Sequence, residues 1–208
     1  MSRRSITKAS AWRRAQNKDP QVRAARAQGY RSRAALKLLE IDDAEKLFFS
    51  GARVADLGSA PGGWSQVAAA RCGKNGRIAA ADILPMAPVA GVFFVQGDFT
   101  APETAAAVGA HLDEKADIVI SDMSPNLSGI AVADQARAAE LARAAADFAR
   151  QYLAADGRFV AKIFQGAECA ELRRMLASAF AESRFLHLSA TRQSSREIYC
   201  VANRPKKA

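Results

Sequence analysis

Lys162 interrupts the apolar run G-R-F-V-A-K-I-F (157–164), and a lysine in such a place has to be explained chemically. An ammonium among apolar neighbours is costly unless it is paired or gives up its proton; the alternative is a stem that snorkels to the rim of a sheet. A partner is available in S-D-M-S-P-N (121–126), where Asp122 closes another apolar run. Glu197, in S-R-E-I-Y (195–199), opens a third run and can point at the same rim. Asp122 and Lys162 can then face each other beside a bound cofactor. Lys37 lies among Leu36, Leu38 and Leu39, where spacing alone assigns it to a helix surface.

A second group of residues has the composition of a ligand loop. In D-L-G-S-A-P-G-G-W (56–64), Gly58, Gly62 and Gly63 let the backbone turn tightly and approach a ligand closely before a helix begins, and Pro61 stiffens the turn. Ala60 occupies a position where the dinucleotide fingerprint G-x-G-x-x-G requires glycine, and the phosphate-cradling G-x-x-x-x-G-K-[ST] is absent. Asp82 stands 24 residues beyond Gly58 at the end of the next apolar run, where a carboxylate can accept from a ribose diol. Asp98, in G-D-F (97–99), is placed to take an exocyclic amino proton of a base. A single strand-end aspartate is more often a helix cap. Several such acids after a glycine-rich turn describe instead a pocket for an adenosine moiety without a pyrophosphate. Trp64 has two readings, packing the helix onto the sheet or lying beside the ligand.

These residues need elements to hold them. Short apolar runs at 52–58, 76–83, 91–98, 116–123 and 157–164 alternate with helical stretches at 63–71, 103–111, 133–153 and 168–181, after a first helix over 34–47. That alternation predicts a mostly parallel sheet covered on both faces. Two further strands, around 185–190 and 197–202, have too short a link for a parallel crossover and should pair antiparallel. Strands four and five are expected side by side at the switch point, with Asp122 facing Lys162.

Composition limits the remaining possibilities. Half of the 208 residues are hydrophobic and a quarter charged, which is ordinary for a globular domain. A chain of this length buries roughly 70% of its unfolded surface and needs no disulfide or metal. Cys72, Cys169 and Cys200 are odd in number and widely spaced, indicating neither a disulfide framework nor a zinc site. The net charge of +9 is unevenly placed: residues 1–37 hold eleven Lys/Arg against Asp19, and the rest of the chain sums to −1. A basic segment on a nearly neutral body suggests a polyanion partner, nucleic acid first; a transit peptide or a solubilising tail has similar composition.

Seven motifs in order, R-S-R-A-A-L-K-L (31–38), D-L-G-S-A-P-G-G-W-S-Q (56–66), D-I-L-P-M (82–86), V-Q-G-D-F (95–99), S-D-M-S-P-N, V-A-K-I-F-Q-G (160–166) and S-S-R-E-I-Y (194–199), resemble the FtsJ/RrmJ methyltransferases from about Trp12 to Tyr199. These are bacterial enzymes that methylate the 2′-oxygen of a uridine in 23S ribosomal RNA of the large (50S) subunit. The resemblance implies an α/β, Rossmann-like S-adenosylmethionine-dependent methyltransferase fold, a seven-stranded mostly parallel sheet with helices on both faces and an antiparallel last strand. It implies a catalytic tetrad of Lys37, Asp122, Lys162 and Glu197, and cofactor contacts from Gly62, Trp64, Asp82, Asp98 and Asp122. It further implies S-adenosyl-L-methionine as cofactor, no metal, 23S ribosomal RNA as partner, no membrane, and a cytoplasmic monomer supporting ribosome assembly. The expected organisation is a basic RNA-binding segment (1–37), one methyltransferase domain (38–203) and a short basic tail (204–208). Family-like sequence starts too early to leave room for a transit peptide.

Two positions depart from the family pattern: Leu36 stands where an aromatic is common, which puts ring stacking there in doubt, and Ser59 where alanine is common. Carbon-5 methylation would need a cysteine nucleophile in the fourth-strand motif, and amine methylation an N-P-P-[YF]-like turn; the chain has neither there. A transfer-RNA 2′-O-methyltransferase and a non-catalytic, RNA-binding assembly factor remain the alternatives.

Overall fold

The computed structural model describes residues 19–125, 128–166, 168–191 and 195–206. The outer part of the basic segment, Asn126 and Ser194 of the motifs, and the last two residues of the tail lie outside the described residues. Seven strands form one sheet: β1 (Arg53–Leu57), β2 (Arg77–Asp82), β3 (Val92–Gln96), β4 (Ala116–Ser121), β5 (Leu153–Phe164), β6 (Phe180–Leu186) and β7 (Glu197–Pro205). Their spatial order is β3-β2-β1-β4-β5-β7-β6. The first five pair in parallel, and β7 inserts antiparallel between β5 and β6. The expected mostly parallel seven-stranded sheet with an antiparallel last strand is present. β4 and β5 are neighbours as expected, but the order reverses between β1 and β4, so the switch point lies one strand away from where it was placed.

Side chains alternate across this sheet, and the two faces carry separate cores. On one face Val54, Ile78, Ile118, Ile120, Val160, Tyr199 and Val201 pack against Leu38, Ile41, Trp64 and Val67. These last belong to α2 (Ala34–Glu45) and α3 (Gly63–Cys72), the helices after α1 (Pro20–Ala27). The other face buries Ala55, Leu57, Ala81, Val119, Phe159, Ile163 and Cys200 beneath residues such as Val108, Phe148 and Leu172, from α4 (Pro102–His111), α5 (Ala131–Tyr152) and α6 (Cys169–Ala179). By the same alternation Asp56, Asp82, Asp122, Lys162, Glu197 and Tyr199 are assigned to the α2/α3 face. The parallel strands all end at one edge, and antiparallel β7 begins there. That is why a residue opening the last strand joins residues closing the fourth and fifth.

α1 lies inside the basic segment. Asp19 caps it by accepting from Gln21 N at 3.0 Å, and Pro20 takes a first-turn position where no N–H is needed. Arg33 ties it to α2, donating to Gln21 at 3.0 Å and standing 3.8 Å from Asp19. α2 stops at Lys46, whose left-handed backbone (φ 50°) returns its N–H to Asp42 O.

β6 falls at 180–186 rather than 185–190, and α6 ends at Ala179 rather than Ala181. Phe180 is fully buried and stacks on Phe159 at 5.5 Å, which draws the chain into the sheet there. The strand is an edge strand with a single partner, so its A-E-S-R stretch lacks apolar alternation. β5 begins four residues early because Leu153 already pairs with Ala116 before a register shift leads to Arg158 opposite Ile118. No helix among the described residues is long and apolar enough to cross a membrane.

Candidate active site

All four residues of the expected tetrad meet at the carboxyl edge of the sheet. Lys162 Nζ is 3.2 Å from Asp122 Oδ1 and donates to the Asp122 carbonyl at 2.8 Å. Lys37 Nζ is 2.6 Å from Glu197 Oε2. Lys37 is only 3% exposed and Lys162 8%, so neither snorkels and the surface placement of Lys37 is corrected. The reason lies in α2. Ala35, Leu38 and Ile41 form its buried stripe, and Lys37 stands one helical turn from Ile41, on the flank of that stripe. Burying Leu38 and Ile41 contributes about 1.5–3 kcal/mol each, which seats the helix and carries Lys37 inward. Pairing with Glu197 then removes the unpaired charge that would make this position untenable.

Tyr199 joins the two ion pairs, a role the residue pattern did not single out. It lies directly opposite Lys162 in the β5–β7 ladder, with Glu197 two residues away on the same face. Its hydroxyl accepts from Lys37 Nζ at 3.0 Å and donates to Asp122 Oδ1 at 2.7 Å. Two cations, two carboxylates and one neutral phenol therefore form a chain with no net charge, which is how so many polar atoms remain buried. Burial works to raise the Glu197 carboxyl, but the hydrogen bond and charge of Lys37, aided by Lys162 and Arg33, hold it below its usual value. Burial and then Asp122 push the Tyr199 phenol well above its ordinary value, so it stays protonated.

The glycine-rich loop leaves β1 at the switch point, beside this network. Gly58 has φ 73°, and a Cβ there would meet Met123 Cγ at 2.1 Å. Gly62, at φ 103°, is the N-cap of α3. Asp82 spans the loop: its Oδ2 accepts from Ala60 N and its Oδ1 from Leu84 N, both at 2.8 Å. Asp98 Oδ1 accepts from Thr100 N at 2.9 Å and from the Thr100 hydroxyl at 2.7 Å. α4 is capped at Ala101, so neither acid is a helix cap. Trp64 is 3% exposed; its indole donates to Ala34 O at 2.8 Å and lies 5.9 Å from the Tyr199 ring, locking α3 to α2. The packing reading describes this ring.

Asp56, the first residue of the loop motif, is buried beneath it and accepts from Ser65 Oγ at 2.6 Å. Burial pushes its carboxyl up to about 7; Ser65 opposes the rise, and Asp122 and Asp82 add to it. Only its place on the inward face of β1 could have announced it.

A sheet of this order, with a glycine-rich loop at the switch point and acids on the following strand ends, defines the Rossmann-like methyltransferase class. The family model described as FtsJ-like methyltransferase matches residues 30–205, and the chain belongs to that family. It is 45% identical to the ribosomal RNA large subunit methyltransferase E of Thiobacillus denitrificans, over 95% of this chain and 90% of the relative. The protein of the same name from Marinobacter nauticus is 49% identical, over 88% of this chain and 89% of the relative. Among solved structures, a ribosomal RNA methyltransferase from Plasmodium falciparum superposes with a TM-score of 0.76 at 29% identity, covering 86% of this chain and all of that one. The fibrillarin pre-rRNA processing protein of Methanococcus jannaschii, at 15% identity and a TM-score of 0.55 over 77% of this chain and 69% of that one, shares the fold. Family membership makes this chain an enzyme, a methyltransferase.

Proposed function

We propose that this enzyme transfers a methyl group from S-adenosyl-L-methionine to the ribose 2′-hydroxyl of a uridine in 23S ribosomal RNA of the large (50S) subunit, supporting ribosome assembly in the cytoplasm. The buried chain Glu197–Lys37–Tyr199–Asp122–Lys162 beside a glycine-rich loop carries the reading. The relatives named for large-subunit ribosomal RNA supply the substrate class.

The residues around the loop fit the cofactor. Gly58 and Gly62 turn the loop through left-handed backbone, at φ 73° and 103°, and Asp82 and Asp98 present carboxylates at the ends of adjacent strands to a diol and an amino group. Gly62, Trp64 through its backbone, and Asp122 complete the set. When bound, the cofactor supplies an electrophilic methyl group. The protein's task is then the weak nucleophile. A ribose hydroxyl must be lined up with that carbon and must lose its proton, and positioning of this kind provides much of the acceleration. Lys162, held by two contacts to Asp122, orients the hydroxyl lone pair as an ammonium, or takes that proton after first releasing one of its own to solvent. Lys37 and Glu197 support the far end of the chain.

Labelled methyl transfer to unmethylated large subunits, followed by mapping of the labelled nucleotide, tests the reading. Lys162→Ala should lose about 100-fold or more of the turnover while retaining part of its cofactor binding, and Asp122→Ala should lose methylation. Near-normal turnover in Lys162→Ala would remove that residue from the mechanism. Label in transfer RNA, or no transfer by the wild type, would overturn the substrate or the activity.

A further inference from the structure

We propose that Tyr199 is a positioning residue of the methyl-transfer site, a fixed-direction relay that apportions the Asp122 charge between its own hydroxyl and Lys162. The inference rests on the methyl transfer proposed above and adds a fifth member to the tetrad.

The direction of the relay follows from donor chemistry. A lysine ammonium has protons and no lone pair, so at 3.0 Å the Tyr199 oxygen accepts from Lys37. The single phenolic proton must then go elsewhere, and Asp122 Oδ1 receives it at 2.7 Å. Accepting from a cation polarises the O–H and makes it a better donor to the carboxylate. That same Oδ1 faces Lys162 Nζ at 3.2 Å. The more of its charge the phenol takes up, the less tightly Asp122 holds a proton on Lys162. The groups around the phenol are Lys37 from α2, Arg33 at the start of α2, Asp122 after β4, Lys162 from β5 and Glu197 from β7 itself. Farther along the face, Asp56 on β1 feels the charges of Asp122 and of Asp82 on β2.

The site is also rigid enough for the relay to keep its direction. Tyr199 is fully buried, with the Trp64 indole 5.9 Å from its ring, and the β5–β7 ladder pairs its backbone with Lys162. The ring supplies packing and the hydroxyl supplies the relay, so Tyr199→Phe separates the two contributions. In that variant Asp122 turns its full charge on Lys162, which gives up its proton less readily.

The test is steady-state methylation of large subunits by the full-length enzyme, with kcat followed against pH. Tyr199→Phe should lower kcat by about 10- to 100-fold, leave KM for S-adenosylmethionine and RNA within about twofold of the wild type, and displace the rising limb of the kcat profile to higher pH. Incorporating 3-fluorotyrosine at position 199 keeps ring and hydroxyl but strengthens the donor, and should displace the limb to lower pH. This second variant decides the matter if the first does not fold. An unmoved profile, displacement in the reverse direction, or a loss confined to KM or melting temperature would overturn the relay. Methyl transfer absent from the wild type would instead overturn the proposed function.

Discussion

Asp56 lies under the glycine-rich loop with Ser65 as its hydrogen-bond donor. An unfolded aspartate ionises near 4, whereas burial raises the folded group to about 7. The folded state therefore binds this proton more tightly. The associated stability is fully present below about pH 4 and is lost as the pH rises through about 7, with an upper bound on the order of 4 kcal/mol. Glu197 acts in the opposite sense, since its lowered value contributes stability that disappears as acid protonates it. The windows are separate, so urea unfolding between about pH 5 and 8 isolates Asp56. Asp56→Asn should flatten the decline that the wild type shows there, and parallel curves would refute the assignment. At this scale the sequence was unevenly informative. Lys162 and Asp122 were legible because an ammonium in an apolar strand requires a partner. Lys37 was not, since its partner Glu197 is 160 residues away and only the β7 insertion brings them together. Tyr199 carries no charge, so nothing in its apolar run demanded a relay.

The loops at the carboxyl edge are held by elements distant in sequence. Arg31, between α1 and α2, donates Nη1 to Ala87 O at 2.6 Å and to Pro61 O at 3.2 Å, and Nη2 to Pro88 O at 2.5 Å. Its backbone N–H reaches Gln66 Oε1 on α3 at 2.9 Å, and Gln66 Nε2 returns to Gly29 O at 3.1 Å. One side chain thus braces the glycine-rich loop against the segment that follows β2. Arg31 is exposed, so each bond is modest in net terms. Arg31→Ala should weaken S-adenosylmethionine binding about 3- to 10-fold, with kcat at saturating cofactor close to the wild type. Calorimetric titration measures this, and an unchanged Kd would mean that the loop keeps its shape unaided. Nothing local in R-S-R announces such a brace, because its acceptors are backbone carbonyls 30 to 57 residues further on. The alternation of buried strands and helices was plain, since parallel strands covered on both faces must be apolar throughout. β6 was displaced because an edge strand with one partner carries no such requirement.

Over the whole molecule, the positive charge divides into an inner and an outer set. Lys37 is committed to Glu197, Arg33 to Asp19 and Gln21, and Arg31 to three carbonyls. These cations of the basic segment hold the protein together as much as they face a partner. The outer set is Arg3, Arg4, Lys8, Arg13, Arg14 and Lys18, which precede Asp19 with no acid among them. In sequence these six cations open the same basic segment that ends at Lys37, whose side chain lies at the carboxyl edge of the sheet beside Glu197. If all six neutralise phosphates, the slope of log K against log salt includes a contribution of about −4 to −5 from them. Deleting residues 1–18 should make the slope shallower by that amount, measured by filter binding of ribosomal RNA across a salt series. Cofactor affinity should be spared, because the Arg31 brace and the loop it supports lie beyond the deletion. A slope equal to that of the full chain would assign RNA binding to the body of the enzyme, and lost cofactor affinity would show that the two sets of cations act as one.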